Sequence, residues 1–158
     1  MEPRREEPDP ERQLSAYATA LADGIERALP GWVRRSVARV MTADAGYVPE
    51  EVVAAASHAG AAAQAEITPA LRRLLTSDID EQTTTPLALV RRAVRYPTEV
   101  LEQAGAAPVR RDEFSMRAFP GDVYGLTPAT LTDLDPELAE PALAWGAAKA
   151  FVHKRRHG

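Results

Sequence analysis

Hydrophobic positions along this chain recur in steps of three and four, and no stretch sustains the alternation a strand requires. Between Glu11 and Leu29, the residues Leu14, Tyr17, Leu21, Ile25 and Ala28 mark one face of an amphipathic helix. Pro30-Gly31 is expected to end it. Val33, Val37, Val40 and Met41 then predict a short second helix over 32–42, with Arg34, Arg35 and Arg39 turned outward. A third helix starts near Pro49, where Glu50 and Glu51 suit the positive end of the helix dipole. Its inward stripe reads Val53, Ala56, Gly60, Ala63 and Ile67, small side chains that admit a close helical neighbour. At Thr68-Pro69 it either kinks or gives way to a new helix through Leu71, Leu74 and Leu75.

The second half repeats the pattern. Leu87, Val90, Val94, Pro97, Leu101 and Ala104 predict a helix from Pro86, kinked at Pro97 and closed by Gly105. Asp112 is expected to cap a short helix through Phe114 to Ala118, and the glycines and proline of 119–126 predict an irregular turn. The last helix, from Pro136 to about Arg156, is apolar nearly all round, which suits a helix central in the core or one covered by a partner. Five pairs, Asp9-Pro10, Thr68-Pro69, Thr85-Pro86, Thr127-Pro128 and Asp135-Pro136, read as helix starts: the side-chain oxygen accepts from a first-turn N–H, and proline fills a position that needs none. The expectation is an all-α protein: a single compact helical domain over 13–158, with about six to eight helices, several short or proline-kinked. A charged, proline-rich and disordered arm is expected over 1–12.

Composition narrows the chemistry. A length of 158 residues supports one proper core. Cysteine is absent, which removes disulfides, thiolate metal sites and thiol catalysis, and fits a reducing compartment. Residues 1–12 lack the apolar stretch of a secretory signal, and no run reaches the roughly 18 apolar residues of a membrane span, so a cytoplasmic protein is expected. The net charge of −4 gives no general attraction for phosphate backbones.

Several residues are candidates for chemistry. Asp78, Asp80 and Glu81 offer oxygens to a hard cation, but their spacing matches no calcium loop, and an acidic surface loop is the expectation. His58, His153 and His157 are expected as solvated or helix-end residues, without the convergent ligands that zinc needs. No serine sits in a nucleophile elbow, and there is no phosphate-binding loop or dinucleotide fingerprint. An enzyme would need a pocket near Arg111, Asp112, Asp122 and Tyr124. No catalytic, cofactor-binding or metal residue is assigned, and no cofactor is expected. The candidate interaction surface is Arg91, Arg92 and Arg95, opposite Leu87, Val90 and Val94, together with Trp145 and Phe151 of the last helix. Glu99 is expected to pair with Arg95 one turn away.

The stretch from Asp78 through Thr85-Pro86-Leu87 to Arg91-Arg92-Ala93-Val94-Arg95-Tyr96-Pro97, with Arg111-Asp112-Glu113-Phe114, the 119–128 turn and Trp145-Gly146-Ala147-Ala148-Lys149-Ala150-Phe151, resembles a family of short uncharacterised actinobacterial proteins of unknown function. That resemblance implies no activity, cofactor or catalytic residue. The function expected from the residues is a non-catalytic cytoplasmic interaction module, binding an unidentified protein or a second copy of itself. A nucleic-acid-associated factor using the arginine faces is the alternative, and a small enzyme the third reading.

Overall fold

The structure, a computed structural model, describes residues 9–158. Among them are six α-helices, four short 3-10 turns and no strand: α1 Pro10–Ala45, α2 Glu50–Thr76, α3 Pro86–Arg91, α4 Arg95–Gln103, α5 Glu113–Ala118 and α6 Ala139–His157. The all-α expectation holds. Most of the expected arm lies outside the described residues, and Pro10 to Arg12 form the first turn of α1, capped by Asp9, which accepts from the Glu11 N–H at 3.1 Å.

The clearest departure from the sequence expectation is at Pro30, which lies inside a continuous 36-residue α1 instead of ending it. Proline has no N–H for the carbonyl four residues back, here that of Glu26. Gln64 of α2 fills the gap: its amide donates to the Glu26 carbonyl at 2.8 Å. One turn away, α2 presents Gly60 to Pro30 so closely that a Cβ on Gly60 would lie 2.9 Å from the Pro30 carbonyl oxygen. The small-residue stripe thus sets the crossing of the two longest helices. Val52, Ala56, Gly60, Ala63 and Ile67 are the buried positions, whereas Val53 faces solvent. Similarly Ala18, not Tyr17, enters the core from α1.

Pro69 is likewise absorbed within α2, so Thr68-Pro69 starts no helix, and Thr127-Pro128 starts none either. Asp9, Thr85 and Asp135 cap as expected. The segment from Pro86 is broken earlier than Pro97: residues 92–94 tighten into a 3-10 turn between α3 and α4. Pro97 cannot bond the Ala93 carbonyl, and the tightened turn precedes it.

Two hydrophobic clusters result. The larger joins Leu21, Ile25 and Leu29 of α1 to Ile67, Leu71 and Leu75 of α2, Val90 of α3, and Leu134 and Leu138. The smaller joins Val37, Val40 and Met41 to Val52, Ala56, Leu101, Tyr124 and Leu126. α1 and α2 line both. α6 lies against α1 at the margin and contributes a single buried residue, Val152. The reading of the last helix as central is therefore excluded. No helix among the described residues is long and apolar enough to cross a membrane.

Candidate interaction surfaces

α6 winds at 3.6 residues per turn, so residues three, four and seven apart share a face. Its inner side carries Ala142, Trp145 and Val152, with Trp145 half-buried against the larger cluster and the Lys149 ammonium 5.0 Å above its ring. Trp145 thus belongs to internal packing. The outer side carries Glu140, Leu143, Ala147, Ala150, Phe151 and Lys154, all exposed. Leu143 is 76% and Phe151 55% accessible, unusual for large apolar side chains one after another along a helix. Phe151, one of the residues singled out in the sequence, is on this face, and Leu143 is its companion there.

The arginines Arg91, Arg92 and Arg95 part company in three dimensions. Arg95 donates to Glu66 of α2 at 2.7 Å, and the Tyr96 hydroxyl donates to the same carboxylate. The Arg95 hydrogen bond, helped by Tyr96, holds Glu66 below the usual carboxylate range. The expected Glu99 pairing does not occur; Glu66 takes that role. Arg91 donates through Nε to the Pro128 carbonyl at 3.0 Å and lies 5.2 Å from the Phe119 ring centre, pinning the 119–128 segment to α3. Arg92 stays exposed without a carboxylate partner among the described residues.

Arg91 also borders an open cleft with Arg39 of α1 and with Arg110, Arg111, Asp112, Asp122 and Tyr124. This is where an enzyme reading would place its site, yet the ionisable groups are engaged in holding the backbone. The buried Asp122 carboxylate accepts from the N–H groups of Leu126 and Thr127, both at 2.8 Å. Tyr124 donates to the Ala106 carbonyl at 2.8 Å, and burial pushes its hydroxyl pKa up. Asp112 caps α5 through Ser115 N–H at 2.7 Å, a bond that holds its carboxyl below the ordinary range. Arg111 donates to the Phe119 carbonyl at 2.7 Å. What faces the cleft unspent is positive charge.

A third surface joins the end of α6 to the acidic loop. Arg156 donates to the carboxylates of Asp78 at 2.9 Å, Asp80 at 3.1 Å and Glu11 at 2.5 Å, and these bonds, that to Glu11 first, raise its pKa. His157 Nε2 lies 2.9 Å from Asp80 Oδ1, and His153 Nδ1 3.9 Å from the same oxygen. His153 and His157 are exposed at the helix end as expected, but the expected lack of convergence is corrected: four residues apart, one turn of α6, both approach Asp80. Their spacing was the available signal; the partner, 73 and 77 positions upstream, carried none.

Fold and surfaces together define an all-helical protein with an exposed apolar helix face, an arginine-lined cleft and a histidine-carboxylate cluster. Comparison with known protein families, curated proteins and solved structures finds no match for the chain.

Proposed function

We propose that this protein is a non-catalytic, cytoplasmic helical interaction module that pairs with a second copy of itself through the outer face of α6. The observation that carries this reading is the arrangement of that face around Ala147. Leu143 lies four positions before it and Phe151 four after; Glu140 lies seven before and Lys154 seven after. These five residues fall within about 80° of helical arc. Two such helices crossing antiparallel at Ala147 place Leu143 of each against Phe151 of the other, and Glu140 against Lys154. A surface that is its own complement under a two-fold axis is what an isologous dimer requires. The small side chains of Ala147 and Ala150 let the backbones approach at the centre. Among the described residues neither Glu140 nor Lys154 has an ion-pair partner within its own chain.

Charge exchange tests the register. Glu140→Lys and Lys154→Glu are each expected to weaken self-association about tenfold by sedimentation, and the double exchange to restore it. Because the chain has no cysteine, Ala147→Cys introduces a single thiol at the two-fold axis and should give a disulfide-linked dimer on mild oxidation. A protein that stays monomeric at high concentration, or single exchanges that change nothing, would overturn the reading.

A second reading, a nucleic-acid-associated factor, is favoured by one observation: Arg39, Arg91, Arg110 and Arg111 line one cleft. Phosphates binding there would be displaced by salt, with a log–log slope that falls by about one for each contacting arginine removed. Arg39→Ala with Arg110→Ala should leave the fold intact and lower both affinity and slope; an unretarded mobility shift at low salt ends this reading.

A further inference from the structure

We infer that Asp80, His153 and His157 form a binding site for zinc, or a similar borderline divalent transition-metal ion, that ties the end of α6 to the turn at 79–81. One oxygen and two imidazole nitrogens, drawn from two separate elements, lie within 4.8 Å of one another. A zinc ion with ligand bonds of about 2.0–2.1 Å sets its ligands about 3.4 Å apart in a tetrahedron. The observed separations from Asp80 Oδ1, 2.9 Å to His157 Nε2 and 3.9 Å to His153 Nδ1, bracket that value. An ion enters by spreading one contact and closing the other by about half an ångström, within reach of small imidazole rotations. Water completes the coordination on the exposed side.

Two further features of the surroundings suit a cation. The carboxylate is oriented from behind: Arg156 holds Asp80 Oδ2 at 3.1 Å, and the Asp80 N–H is fixed by the Asp78 side chain at 3.1 Å, leaving Oδ1 to face the rings. Hydrogen bonding of the remote oxygen is how ligating carboxylates are commonly aimed. Among the described residues Arg156 is the one arginine paired with the carboxylates of Glu11, Asp78 and Asp80, so carboxylates outnumber arginines in this cluster. The site also sits at the C-terminus of a 19-residue helix, the negative end of its dipole. Two nitrogens among three ligands select zinc, copper or nickel over magnesium and calcium, which demand oxygen.

Calorimetric titration of the untagged full chain with zinc chloride near neutral pH tests the site, with magnesium chloride as a control. One equivalent of zinc should bind saturably, weakening on acidification because a protonated imidazole has no lone pair to give. Asp80→Asn and His157→Gln should each weaken binding by about tenfold or more, with amide spectra unchanged away from the cluster. Zinc should shift the ring resonances of His153 and His157 and leave those of His58 in place. If Asp80→Asn binds zinc as tightly as the native chain, the helical histidine pair alone explains the binding and the three-ligand site is wrong. Failure to saturate by millimolar zinc, or a shift confined to His58, overturns it as well.

Discussion

Gln64 and Pro30 illustrate how one side chain repairs what another breaks. The Glu26 carbonyl, deprived of its backbone donor, is served by the Gln64 amide at 2.8 Å. Gln64→Leu should therefore destabilise the fold by about 1 kcal/mol, the usual cost of a half-buried carbonyl left without a donor. In a Pro30→Ala background residue 30 regains its N–H, and the same substitution should cost close to nothing. Urea melts of the four proteins in that cycle give the coupling directly. Asp122 is expected to matter more. Asp122→Ala strands two backbone N–H groups, those of Leu126 and Thr127, beside the smaller core cluster and should cost about 3 kcal/mol. A loss below about 0.5 kcal/mol would mean that water or a rearranged turn replaces the carboxylate.

For whole elements, periodicity predicted existence and type well, and failed where proline entered. Pro30 and Pro69 look terminal in the sequence because the helix interior ordinarily rejects them. The donor that rescues Pro30 lies 34 positions away, so no local pattern could show it. The faces were misjudged by one position at Tyr17 and Val53, where the adjacent Ala18 and Val52, about 100° round the helix, turn inward instead. The surface pairings were least legible: Arg95 with Glu66, Arg156 with Asp78 and Asp80, and Arg39 beside Arg91 all join residues on different elements. The end of α6 should respond to acid. Hydrogen bonds from His157 first, then Arg156, hold the Asp80 carboxyl below its ordinary range. A depressed folded-state pKa means that the stabilisation is complete above the unfolded value, about 4, and is lost as pH falls through the folded one. Amide exchange at residues 153–157 should therefore accelerate below about pH 4 before the rest of the protein opens. Uniform acceleration along the chain would show that this cluster does not hold the helix end.

Across the whole molecule, both hydrophobic clusters are bounded by the same two helices. Unfolding of either should release the other, so tryptophan fluorescence, which reports Trp32 and Trp145, and far-ultraviolet circular dichroism should give coincident denaturation curves. Separated transitions would show that the clusters open independently. The crossing at Gly60 and Pro30 also has a mechanical side. A 36-residue helix is a beam about 54 Å long, and the missing rung at Pro30 is where such a beam would flex first. α2 is clamped across that very point, by a backbone contact and by the Gln64 amide, as a splint lies across a fracture. Flexing α1 at its weak rung therefore means lifting α2 away, and the two ends of the beam hold a fixed bearing on each other for as long as the splint stays in place.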